Sequence, residues 1–74
     1  MPPEDRPVWW LRKRESEASA VLREIAGYGW EARLLFRGEL RQSRMFRDVQ
    51  DALAWVQDWR DQLEASGWTF VARP

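Results

Sequence analysis

Residues 16–26 read SEASAVLREIA, and whether they coil or extend decides the fold. Ala18, Val21, Leu22 and Ile25 fall at i, i+3, i+4 and i+7, the spacing of a one-faced helix, with Ser16 as an N-cap and Gly27 as a stop. As a strand, the same stretch sets Ser19, Val21, Arg23 and Ile25 on one side, a weaker alternation. Local propensity prefers the helix. Context prefers the strand, because a lone hairpin is marginal in water and a third strand makes a sheet viable.

The hairpin that needs a third strand lies next in the chain. Trp30, Ala32, Leu34 and Phe36 alternate with Glu31, Arg33, Leu35 and Arg37, a period of two. Gly38 interrupts, and residues 40–46 supply a return strand. If Arg37-Gly38 are the central pair of a tight turn, Phe36 faces Glu39, Leu34 faces Arg41, Ala32 faces Ser43 and Trp30 faces Met45. Arginine is a poor first residue for such a turn, and a three-residue loop through Glu39 would swap the faces of the return strand.

Residues 48–66 carry the clearest helical pattern. Val49, Ala52, Leu53, Val56, Trp59 and Leu63 make one apolar stripe with Trp55 at its edge. Asp48 is the expected N-cap, Asp51 favours the first turn, and Gly67 stops the helix so that Trp68 and Phe70 fold back. Gln50, Asp51, Asp58, Asp61 and Glu64 make the outer face acidic. Upstream, residues 1–7 (MPPEDRP) read as a flexible arm. Residues 8–14 (VWWLRKR) read as a short strand or a tryptophan anchor, and residues 8–74 form one small domain.

Seventy-four residues allow one domain, near the lower limit for a single apolar core. Six tryptophans supply unusual core mass: Trp30, Trp59 and Trp68 are expected inside, Trp9, Trp10 and Trp55 less clearly so. There is no cysteine, no apolar run near the ~20 residues of a membrane span, and an acidic rather than basic N-terminal stretch. These features point to a soluble, cytoplasmic protein without a membrane partner. Twelve basic and twelve acidic residues cancel, but unevenly: ten basic and seven acidic precede Asp48, and two basic and five acidic follow from it. A zero total is not the footprint of a dedicated nucleic-acid binder.

Catalysis is not expected. Histidine and cysteine are both absent, which removes the commonest general base, the soft metal ligands and the strongest nucleophile. Asp58 and Asp61 at i, i+3 read as a solvated helix face, and Gly27-Tyr28-Gly29 lacks the length and lysine of a phosphate loop. No catalytic, cofactor or metal residue is assigned. The constellation that remains is basic: Arg33, Arg37, Arg41, Arg44 and Arg47. On the tight-turn register, Arg33, Leu35, Arg37, Leu40, Gln42, Arg44 and Phe46 form a candidate interaction face opposite the helix. Three readings compete for it: stems of arginine covering apolar surface, a protein interface, or a grip on a phosphate backbone with base stacking.

The run GWEARLLFRGELRQSRMF, with Trp59 and then Gly67-Trp68 downstream, resembles a group of short uncharacterised bacterial proteins. In that pattern a Gly-Trp-Glu strand, a Gly-Glu-Leu turn, a Ser/Thr-containing return strand and a helix ending in Gly-Trp follow in order. The matching residues are Gly29, Trp30, Glu31, Arg33, Leu34, Gly38, Glu39, Leu40, Ser43, Trp59, Gly67 and Trp68, over about residues 20–68. Arg37 and Ala32 depart from it, standing where an acidic residue and a larger aliphatic are more usual. The resemblance implies a sheet of three strands plus a helix and carries no activity. It tips residues 18–25 toward strand.

The sequence thus predicts an α+β domain of order β-β-β-α: a three-stranded antiparallel sheet with one C-terminal helix on one face. The alternative is α-β-β-α with residues 16–26 helical. The expected role is a non-enzymatic interaction module, self-associating as a homodimer through the open face or binding another protein, with nucleic-acid binding as the rival.

Overall fold

The computed structural model describes residues 5–72. Four strands run as an antiparallel meander: β1 (Asp5–Lys13), β2 (Ser16–Ile25), β3 (Gly29–Phe36) and β4 (Glu39–Phe46). Helix α1 (Val49–Ala65) follows, then a two-residue strand β5 (Thr69–Phe70). Sheet order is β4-β3-β2-β1-β5, so the α+β class and the single helix hold, but the sheet has five strands rather than three. The added strands are β1, which starts at Asp5 inside the segment read as an arm, and β5. Residues 1–4 of that expected arm lie outside the described residues.

SEASAVLREI is extended, and its position in the sheet explains why. With β1 on one side and β3 on the other, β2 is a central strand and its backbone groups are satisfied in two directions, which outweighs a helical spacing. Ala18, Ala20 and Leu22 are buried against the helix, and Ser19, Val21, Arg23 and Ile25 point the other way.

Because β4 and β5 are opposite edges of the sheet, α1 connects them across the whole width. Four inter-strand spacings of ~4.8 Å make about 19 Å. At ~1.5 Å per residue, the 17 residues of α1 are about 25 Å long, enough for the helix to cross the sheet obliquely. Beneath it lies the core of Trp9, Leu11, Ala18, Ala20, Leu22, Ala32, Leu34, Ala52 and Val56. Trp9 is the largest fully buried side chain, and its indole Nε1 donates to the Val56 carbonyl at 3.0 Å. The four small alanines leave room for that ring. Trp30, Trp55, Trp59 and Trp68 pack around the core half-buried, whereas Leu53, expected in the stripe, is exposed at its rim.

Both helix ends are capped as the sequence predicts. Asp48 accepts from the Gln50 amide at 2.8 Å. At the far end Trp68 N–H donates to the Leu63 carbonyl and Gly67 N–H to the Glu64 carbonyl, the paired bonds of a Schellman motif. Lys13 adds its Nζ at 2.7 Å to the Ser66 carbonyl, a cation at the negative end of the helix.

Of the two turns left open by the sequence, the tight one at Arg37-Gly38 forms: φ is 54° and 81°, the left-handed pair of a type I′ turn. A β-branchless but bulky arginine is strained there, at roughly 1–2 kcal/mol, while asparagine adopts this region readily. Arg37→Asn is therefore expected to stabilise the fold by about 0.5–1 kcal/mol, read as a raised urea midpoint with unchanged slope.

Candidate interaction face

Past the turn, the register departs from expectation. Phe36 pairs with Glu39 and Leu35 with Leu40, but Leu34 then pairs with Gln42, leaving Arg41 as the extra residue of a bulge. One inserted residue reverses the faces of everything after it. The remaining partners are Arg33 with Ser43, Ala32 with Arg44, Glu31 with Met45 and Trp30 with Phe46.

The predicted face is consequently split. Arg33, Leu35 and Leu40 do lie on the sheet face away from the helix. Gln42, Arg44 and Phe46 lie on the helix side, as partners of Leu34, Ala32 and Trp30. Phe46 packs at 5.9 Å from the Trp55 ring, so it is part of the helix–sheet layer and not an exposed stacking platform. Arg37 sits in the turn, its Nη2 donating to Ser16 Oγ at 3.3 Å.

What the open face carries instead is a cross-strand row, Trp10–Ser19–Leu35–Leu40, read through three successive pairings. Pro7 and Val21 lie in the next row on this face, and Met45 one row beyond. Leu40 and Met45 are 48% and 41% exposed. Trp10 belonged to the residues whose place was open; it is half-buried on this face, while its neighbour Trp9 faces the core.

The charges on this face are matched one to one. Arg23 reaches Asp5 across the strands with Nε–Oδ1 at 2.7 Å and Nη2–Oδ2 at 3.3 Å. Arg33 meets Glu31 at 3.1 Å along β3, and Arg12 meets Glu17 at 3.8 Å. The guanidinium of Arg23 holds the Asp5 carboxyl below its ordinary value, against a smaller opposing effect of burial, and Arg23 is raised in turn. A depressed carboxylate contributes stability that is present above its unfolded pKa and is lost as pH falls through the folded one. In Arg23→Ala the Asp5 midpoint should move up toward the ordinary carboxylate value, as followed by carboxyl-carbon NMR.

Arg41 and Arg44 are arranged differently. Each guanidinium lies over an aromatic ring, Arg41 over Phe36 at 5.5 Å and Arg44 over Phe46 at 5.2 Å, on the helix side of β4. Arg37, Arg41, Ser16, Glu39, Phe36 and Trp68 line a shallow cleft of about 450 Å³ at the turn end of the sheet. Among the described residues, no cluster of acidic, histidine or cysteine side chains could hold a metal ion, and no helix is long and apolar enough to cross a membrane.

The site therefore belongs to an antiparallel α+β domain in which, among the described residues, one helix covers one face of the sheet and nothing covers the other. Comparison with protein-family models, with curated proteins and with solved structures finds no match to this chain.

Proposed function

We propose that the chain is a small, non-enzymatic protein-interaction module, and that its open sheet face binds the same face of a second copy. The observation that carries this reading is the Trp10–Ser19–Leu35–Leu40 row bordered by three ion pairs that cancel. Burying apolar surface is favourable wherever it occurs, and a face with balanced charges meets its own copy without net repulsion. Full burial of a leucine contributes on the order of 1.5–3 kcal/mol, a large fraction of the stability of so short a chain.

Sedimentation at micromolar concentration tests it. A dimer is expected for the native chain, and a monomer for Leu35→Glu with its circular dichroism retained. A native chain that stays monomeric at that concentration would sink the reading.

Nucleic-acid binding is the second reading. It loses support on the open face, where Arg33 is held by Glu31. What favours it is the ring-stacked Arg41–Arg44 pair on the other side of β4, and a low-salt titration with labelled oligonucleotides decides the point, since phosphate contacts make affinity fall steeply with salt.

A further inference from the structure

The edge of the sheet at β4 offers a second surface, independent of the open face. All of Glu39–Met45 is exposed, and among the described residues no strand pairs with the outer side of β4. An edge strand presents unpaired N–H and C=O groups there, a template for a further strand. At the opposite edge, β5 already pairs with β1, and the uncovered part of β1 contains Pro7, which has no N–H to offer a further strand.

We infer that β4 accepts an extended acidic peptide as a sixth strand. Three features specify that occupant. Over residues 37–47 the chain has four arginines, Arg37, Arg41, Arg44 and Arg47, against the single carboxylate Glu39. Arg41 and Arg44 are held over Phe36 and Phe46, so little side-chain freedom is lost when they meet carboxylates. Both project to the helix side of the strand, and the other side shows Leu40, Ser43 and Met45. An incoming strand that alternates acidic and apolar residues thus meets cations on one face and apolar side chains on the other.

The same arginines reject a second β4. Antiparallel pairing of two copies about Arg44 keeps like faces together, with Ser43 opposite Met45 and Gln42 opposite Phe46, but sets Arg44 against its own copy, and like charges directly opposed are destabilising. Charge on an edge strand commonly serves that protective end. Here it leaves the edge open to partners of opposite sign.

The test is a fluorescein-labelled, end-capped octapeptide of alternating glutamate and valine, titrated at low salt and followed by anisotropy and by amide chemical shifts. Saturable binding with shifts centred on Glu39–Phe46 is expected. The double variant Arg41→Glu/Arg44→Glu should bind at least tenfold more weakly while melting as the native chain does, and a lysine–valine octapeptide should not bind. Leu35→Glu should bind normally, which separates this surface from the dimer face. The inference is overturned by no saturation below millimolar peptide, by equal binding of the lysine peptide, or by shifts confined to the Trp10–Leu35 row. It is also overturned if an oligonucleotide occupies the same amides more tightly than the acidic peptide, since the edge would then be a phosphate site.

Discussion

Trp9→Ala is expected to remove a large share of the domain's stability. Trp9 is 1% exposed and lies at the centre of the layer between sheet and helix, among Leu11, Ala20, Leu34 and Val56. Its neighbours include alanines at 18, 20, 32 and 52, which cannot expand into the space an indole leaves. Truncating a buried tryptophan costs roughly 3–5 kcal/mol, against a total of about 4–11 kcal/mol for a chain of this length. Trp9→Phe separates packing from hydrogen bonding: it keeps most of the apolar volume and removes the Nε1 donor to Val56. The Val56 carbonyl retains its place in the helix, having two lone pairs, so the phenylalanine variant should lose about 1–2 kcal/mol. Urea unfolding of the three chains checks both values. A Trp9→Ala chain with a near-native midpoint would mean that the indole is not the centre of this core.

Gly29→Ala should be nearly as damaging, for a reason that has nothing to do with apolar burial. At φ 149° Gly29 lies against the segment where β4 hands over to the helix. An added Cβ would overlap the Phe46 carbonyl oxygen and come within 2.8 Å of the Arg47 Cα. Both are backbone atoms and cannot rotate away. Strain at such a φ and overpacking each cost about 1–3 kcal/mol, so a loss of roughly 3 kcal/mol or more is expected. Gly27 is the control, because its φ is 78° but nothing lies within 4 Å of a Cβ there. Gly27→Ala should cost only the left-handed strain, about 1–2 kcal/mol. Equal midpoints for the two variants would remove the steric account of Gly29.

How much of this was legible in the sequence depended on how local its determinants are. The helix and its Asp48 and Gly67 ends follow from neighbours within a few residues and stand as read, whereas the turn was narrowed to two forms, of which the tight Arg37-Gly38 one occurs. Residues 16–25 were ambiguous because alanine and serine weigh little in either periodicity; what makes them a strand is pairing with β1, whose residues lie up to 18 positions upstream. Trp9 and Trp10 are adjacent and chemically identical, so only strand alternation, once β1 is recognised, sends one inward and the other out.

The candidate face suffered most from a single residue. Leu40 and Phe46 have the same parity, so a regular ladder places both on one side, yet the first lies on the open face and the second meets Trp55. A bulge at Arg41 reconciles them. One signal was present: Phe46 is the large aromatic of the return strand and had to face the helix, which forces an extra residue between it and Leu40.

The pairing of β1 with β5 has a mechanical consequence. The two strands are antiparallel, joined at Leu11–Phe70 and Arg12–Thr69, with a further bond from Val71 N–H to the Trp10 carbonyl. Residues 69–71 therefore run back toward the start of β1, and a load applied to the two ends opens the seam one bond at a time, like a zipper, instead of shearing all its bonds at once. Under tension β5 would peel away first, while the four-strand meander stays intact behind it.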